Sequence, residues 1–163
     1  AVNPARGTLS GTATVAAVGG VATFPDLSVE RTGTAYRLQA TSSGLSPDTS
    51  DAFTIIAGPA TRLVFTVQPS TTMANADFNP RVRVAALDAL GNVARAFSGQ
   101  ITIAITVGTG TGGAVLMGAT TVTALNGVAI FDPLRITLPG PGYTLSATAT
   151  GLTGATSTAF TIN

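Results

Sequence analysis

The sequence has no cysteine, no histidine and no lysine, and each absence removes a class of chemistry. Without cysteine no disulfide can form, and without lysine no isopeptide bond between lysine and asparagine side chains can form. The missing histidine and cysteine also take away the usual nucleophile and base pairs of covalent catalysis. A domain built from this chain must therefore be held together by its noncovalent core.

Charge is also scarce, since charged residues make up 9% of the chain and the net charge is +1. The eight basic residues are all arginines and lie scattered, so no basic patch for nucleic acid is visible. No apolar run approaches the roughly 18 residues of a membrane-spanning helix. We expect no nucleic-acid partner and no membrane insertion within these residues. The apolar share of 45% is ample for a globular core.

The chain contains an internal repeat, visible in GVATFPDLSV at 20–29 and GVAIFDPLRI at 127–136. A shift of 118 − 11 = 107 positions places residues 9–55 on 116–162 without a gap, and about half of the paired residues are identical. This period is too long for a solenoid unit and fits a small domain of about 100 residues. We predict a tandem array in which 1–57 is the C-terminal half of one repeat and 58–163 is a complete repeat.

Apolar residues recur with a period of two, which is typical of half-buried strands. Turn sequences such as LGN at 90–92, LNG at 125–127 and PGPG at 139–142 separate the strands. The pattern predicts an all-β fold, an antiparallel β-sandwich of the immunoglobulin type with about seven to nine strands. Asn126 and Gly127 are expected to form a type I′ hairpin turn with positive φ. The inward positions along the alternating stretches are Leu63, Phe65, Val67, Val82, Val84, Ala86, Ile101, Ile103, Ile105, Val107, Tyr143, Leu145 and Ala147, with Ala85 outward.

The core predicted for 58–163 is built from these inward positions and from the last strands of the repeat. It comprises Leu63, Phe65, Val82, Val84, Ile101, Ile103, Phe131, Leu134, Tyr143, Leu145, Phe160 and Ile162.

Several segments resemble the bacterial Ig-like repeats that form long arrays on secreted and cell-surface proteins. GVAIFDPLRI, GPGYTLSATATGL and STAFTI resemble the C-terminal half of such repeats, and RLVFTVQPS, VRVAALDALGNV and ITIAI resemble the N-terminal half. The likeness covers the second repeat and the first half-repeat. It implies an extracellular or cell-surface stalk or adhesin whose partners include neighbouring Ig-like repeats, and it carries over no catalytic residue.

Two loops invite a chemical interpretation. DALGN at 88–92 places Asp88 and Asn92 around a glycine, but a calcium site needs six to eight oxygens, and Asp77 would join only through a fold contact. A hairpin turn is the favoured interpretation. GTGTGG at 108–113 resembles a phosphate loop, yet it lacks the GK[ST] ending, so a strand connection is favoured.

The remaining candidates are carboxylates and aromatics. Asp48 and Asp51 form the one loose acidic pair, in a predicted loop, and solvation explains them. Tyr36 and Tyr143 could stack on a ligand, but a structural tyrosine corner is favoured. The paired residues Phe24 and Phe131 are expected in cores. We therefore assign no catalytic, cofactor-binding or metal-binding residue and expect no enzyme.

Two functional classes remain open. The first is a rigid spacer in an extracellular fibre, stalk or large surface protein. The second is an adhesin-type module that binds carbohydrate or a host or cell-surface protein through loops at one end of the sandwich. Exposed aromatics would favour binding, and tryptophan is absent.

The half-repeat 1–57 is expected to lack cover for its inward side chains. Upstream sequence, or a second half-repeat, is expected to complete it. The side chains concerned are Phe24, Leu27, Val29, Leu38, Phe53 and Ile55.

Overall fold

The computed structural model describes residues 2–163 and is all-β, with no helix among those residues. The chain divides into two compact units, Ala1–Ala57 and Gly58–Asn163.

The first unit consists of three antiparallel strand pairs. Strand β1 pairs with β2, β3 with β6 and β4 with β5. Within residues 2–57 only Tyr36 is buried. The strands are β1 (Leu9–Ser10), β2 (Ser28–Val29), β3 (Gly33–Tyr36), β4 (Gln39–Ala40), β5 (Asp48–Thr49) and β6 (Phe53–Ile55).

The second unit has two larger sheets, with strand orders β12-β8-β7 and β11-β9-β15-β16. Two smaller antiparallel pairs, β10 with β13 and β14 with β17, complete it. The strands are β7 (Arg62–Val67), β8 (Val82–Leu87), β9 (Gln100–Ile105), β10 (Leu116–Gly118), β11 (Thr121–Thr123), β12 (Val128–Phe131), β13 (Leu134–Ile136), β14 (Gly140–Tyr143), β15 (Leu145–Thr148), β16 (Ala155–Thr156) and β17 (Phe160–Ile162).

One hydrophobic core lies in the second unit and takes side chains from both larger sheets, so the unit has a sandwich-like arrangement. All twelve predicted core residues are buried, which confirms the predicted strand phasing. The sequence did not single out Phe78, whose ring packs edge to face against Phe160 with centroids 5.4 Å apart. Ile136 is also fully buried.

Three details of the predicted pattern are wrong. The alternation predicts an inward Val107, but β9 ends at Ile105 and the chain turns there, which leaves Val107 98% exposed. The alternation predicts an outward Ala85, yet it is buried because β8 is the central strand of its sheet, and Val64 and Val128 flank this small residue. Asp48 lies in β5 and pairs with Ala40 instead of lying in a loop.

The turn at Asn126 and Gly127 has the predicted geometry. Both residues have positive φ, 51° and 79°, and Leu125 and Val128 exchange two backbone hydrogen bonds of 2.9 and 3.1 Å across them. A two-residue loop with both φ angles positive is a type I′ hairpin turn.

Strand pairings in the two units correspond at an offset of 107 residues. Leu9 pairs with Val29 as Leu116 pairs with Ile136. The pairing of β3 with β6 matches that of β14 with β17, and both pairings have a register shift between their two paired positions. These are Gly33 with Ile55 and Gly140 with Ile162, then Tyr36 with Phe53 and Tyr143 with Phe160.

Candidate functional site

The Asp88 carboxylate organises the loop after β8. Its oxygens accept hydrogen bonds from the backbone N–H groups of Gly58 (3.0 Å), Leu90 (3.0 Å) and Asn92 (2.8 Å), and from Asn92 Nδ2 (3.1 Å). The bonds to Leu90 and Asn92 close the turn, and the bond to Gly58 fastens the start of the unit to it. The carboxylate thus has a structural use.

The pKa of Asp88 reflects two opposing effects. Burial acts to raise it, but hydrogen bonds from Asn92, Gly58 and Leu90 together hold the pKa below its ordinary value. Donors that favour the charged form thus outweigh desolvation, and the carboxylate remains ionised at neutral pH.

A calcium site around this loop finds no support in the contacts. Asp77 instead faces Arg135, with its Oδ1 3.7 Å from Nη1. Throughout residues 2–163, no three acidic side chains come together as a metal ion would require.

The glycine-rich segment 108–113 packs against the Tyr143 ring. Gly110 has φ of 68°, and its Cα lies so close to the ring that a β-carbon there would overlap it. Thr111 Oγ1 donates a 2.6 Å hydrogen bond to the Pro139 carbonyl. The segment therefore covers a core tyrosine at Gly110, and the sequence gives no sign of this reason for Gly110 because Tyr143 lies some thirty residues away.

The two tyrosines have the same backbone contact in both units. Tyr143 donates to the Leu138 carbonyl at 2.8 Å, and Tyr36 donates to the Arg31 carbonyl at 3.0 Å. Both residues are buried, so neither ring face is open to a ligand from solvent. The geometry is that of a structural tyrosine.

Asp48 and Asp51 are both exposed, and Asp48 Oδ1 accepts the N–H of Thr49 at 2.8 Å. Sequence reasoning overlooked Asp26, which accepts the Thr12 N–H and hydroxyl, each at 2.9 Å. These bonds lower the pKa of Asp26. The sequence near Thr12 does not predict the contact between Thr12 and Asp26, because the two residues lie 14 positions apart.

Backbone hydrogen bonds in parallel orientation join the first and last segments of the second unit, and we call them the terminal clamp. At one end Leu63 N–H donates to Thr153 O, and Thr153 N–H donates to Thr61 O. At the other end Thr72 pairs in parallel with Ile162. The bonds there are Thr72 N–H to Thr161 O, Asn163 N–H to Thr72 O, and Ala74 N–H to Asn163 O.

The first unit carries an uncovered apolar face, which we define by Phe24, Leu27, Val29, Leu38, Phe53 and Ile55. Phe24 is 40% exposed, whereas its counterpart Phe131 is 1% exposed. The expectation that Phe24 lies in a core is therefore wrong within this unit, although the loss of cover expected for the half-repeat agrees with its exposure. The other members of the face are only half-buried.

Comparison with known proteins shows a likeness of fold. A β-glycosidase structure from Bacteroides vulgatus superposes with a TM-score of 0.51 at 12% sequence identity, covering 83% of this chain and 18% of that one. A glycosyl hydrolase family 2 member from Bacteroides cellulosilyticus gives 0.48 at 12% identity, with 76% and 17% covered. The chain thus spans less than a fifth of either enzyme. Neither protein-family profiles nor curated protein sequences give a match.

Proposed function

We propose that the chain is a noncatalytic structural module made of tandem Ig-like repeats, which acts as a rigid spacer in an extracellular fibre, stalk or large surface protein. The observation that carries this proposal is the terminal clamp of the second unit. The partners of this module are neighbouring Ig-like repeats.

The strand order supports the Ig-like assignment. Strands β7, β8 and β12 share one sheet, as strands A, B and E do in immunoglobulin domains, and β9, β15 and β16 correspond to C, F and G. Tyr143 precedes β15 and bonds to a carbonyl five residues upstream, an arrangement like the tyrosine corner of that fold.

The correspondence at 107 residues supports the repeat assignment. The three strand pairs of the first unit recur in the second unit with the same registers. Both units also share the same tyrosine bond and the same stacking of Tyr on Phe, with ring centroids 6.0 Å apart for Tyr36 and Phe53 and 5.9 Å for Tyr143 and Phe160. A spacer of defined length is built by repeating such a domain.

The clamp gives the module a mechanical rationale. The N-terminal end of the second unit lies near Thr153, and its C-terminal end lies near Thr72. The two ends of the unit therefore lie at opposite ends of the terminal clamp. Tension applied at residues 58 and 163 therefore slides the two segments along each other, and the five bonds resist together instead of opening one at a time. This arrangement suits a module that transmits force along its length.

Single-molecule force spectroscopy on the full chain held between folded handles tests the proposal. Unfolding of 58–163 should occur in one step that releases a contour length of roughly 350–380 Å. The exposed Thr153→Pro variant removes one donor of the clamp, and it should lower the unfolding force. Thr153→Ala keeps the N–H and serves as the control. An unchanged force in Thr153→Pro would refute the mechanical role.

One observation favours the binding alternative. Leu90 and Leu125 are 69% and 77% exposed, and both lie in turns at the same end of the sheet formed by β7, β8 and β12. Glycan arrays and cell-binding assays with the full chain test this alternative against a Leu90→Ser and Leu125→Ser double variant. Saturable binding that the double variant loses would replace the spacer assignment with an adhesin assignment.

A further inference from the structure

The apolar face of the first unit has a structural template in the second unit, which shows what covers the equivalent residues. Phe131 lies on β12, which pairs with β8 through Phe131 with Val82 and Ala129 with Val84. Among the described residues of the first unit, no strand pairs beside its counterpart Phe24, and the equivalent chain forms only the isolated bridge between Val18 and Val21.

The same difference appears at the other sheet. Strand β15 pairs with β9 through Leu145 with Ile105 and Ala147 with Ile103, and Leu145 and Ala147 are buried. The counterparts Leu38 and Ala40 are half-buried and exposed. Every strand that supplies the missing cover, β7, β8 and β9, lies within residues 58–107.

A second copy of this chain does not supply that cover by exchanging strands. The chain holds two segments of the late pattern, 1–57 and 108–163, and one of the early pattern, 58–107. The early segment is already committed to its own unit, where Leu63, Phe65 and Val82 are buried. Exchange of strands between two copies would leave the same number of late segments uncovered.

We propose that the uncovered face is an acceptor for a segment with the strand pattern of 58–107, joined directly before residue 1 as 58–107 is joined before residue 108. The segment would add one strand beside residues 21–24 and another beside residues 38–41, and its alternate apolar side chains would bury the face. This inference rests on the repeat assignment proposed above but not on the mechanical role of the clamp.

The test extends the full chain with a second copy of 58–107 placed directly before residue 1. Hydrogen-exchange mass spectrometry of the extended and original chains should show amide exchange in residues 20–57 slowed on the order of a hundredfold or more. Fluorescence of a dye that binds exposed apolar surface should fall in parallel.

The matched control carries V82D and V84D in the added copy alone, so that its central strand cannot enter a core. It should leave exchange in 20–57 at the original rate, while protection of the native 58–163 reports that each chain is folded. Equal exchange in the extended chain and the control would overturn the proposal. So would an original chain that is dimeric with 20–57 already protected, because a second copy would then be the occupant.

Discussion

At the scale of single residues, the chain places identical side chains in two environments. Phe24 and Phe131 share their sequence context and their position in the repeat, yet one is 40% and the other 1% exposed. Inward parity follows from the period of two and could be predicted. The degree of burial depends on strands distant in sequence, so the exposed fraction of Phe24 could not be predicted from its residue type and local pattern.

The pair Phe24 and Phe131 gives a matched test of that difference. Phe131→Ala removes a fully buried ring and should reduce the free energy of unfolding of the second unit by about 3–5 kcal/mol. Phe24→Ala should cost less than about 1 kcal/mol because 40% of the residue is already exposed to solvent. Urea denaturation followed by residue-resolved NMR measures both. Equal losses would show that Phe24 has cover that the structure does not reveal.

Asp88 gives a pH prediction. Its folded pKa lies below the ordinary 3.8, so its contribution to stability is present above that value and is lost as pH falls through the lower folded pKa. Denaturation of the wild-type chain and Asp88→Asn from pH 6 to pH 2 should show their stability difference shrinking below about pH 4. A difference that stays constant with pH would mean that Asp88 ionisation does not stabilise the fold.

At the scale of elements, the hairpin turns were predictable because their geometry is local. Asn126 and Gly127 carry the signature of a type I′ turn in two adjacent residues. Gly118 carries no such local signature, although its φ is 105° and a β-carbon added there would overlap the Pro133 carbonyl. Contacts between separate elements carry no local sequence signature. For the same reason, the parallel pairing of the terminal clamp could not be predicted from the sequence.

Gly118→Ala tests this close approach. A β-carbon at this position is disfavoured by the positive φ and also clashes with the Pro133 carbonyl. The two costs together should reduce the unfolding free energy of the second unit by about 2–5 kcal/mol. Gly142→Ala is the control, since Gly142 has φ of 74° but no atom near the added carbon, and it should cost about 1–2 kcal/mol. Thermal denaturation compares the two. A smaller loss for Gly118→Ala would mean that the backbone yields without cost.

At the scale of the whole molecule, buried side chains are unevenly distributed between the units. The sequence predicts the second unit's core from its alternating apolar positions and its last strands, and the structure buries all twelve of the core residues predicted. The first unit buries only Tyr36 among residues 2–57. A unit with so little buried surface opens at low free energy, whereas the second unit should open with the stability of a normal domain.

Trypsin digestion of the native chain measures this imbalance directly, because with no lysine every cleavage site is one of eight arginines. Arg31 and Arg37 lie in the first unit, whereas Arg83 lies within the central strand β8 of a packed core. Cleavage requires local opening, so cuts after Arg31 and Arg37 should proceed about tenfold or more faster than the cut after Arg83. Mass spectrometry of timed samples should show 58–163 persisting within a resistant product. Cleavage after Arg83 at the same rate would mean that the two units open together, and the difference in burial would then not govern their stability.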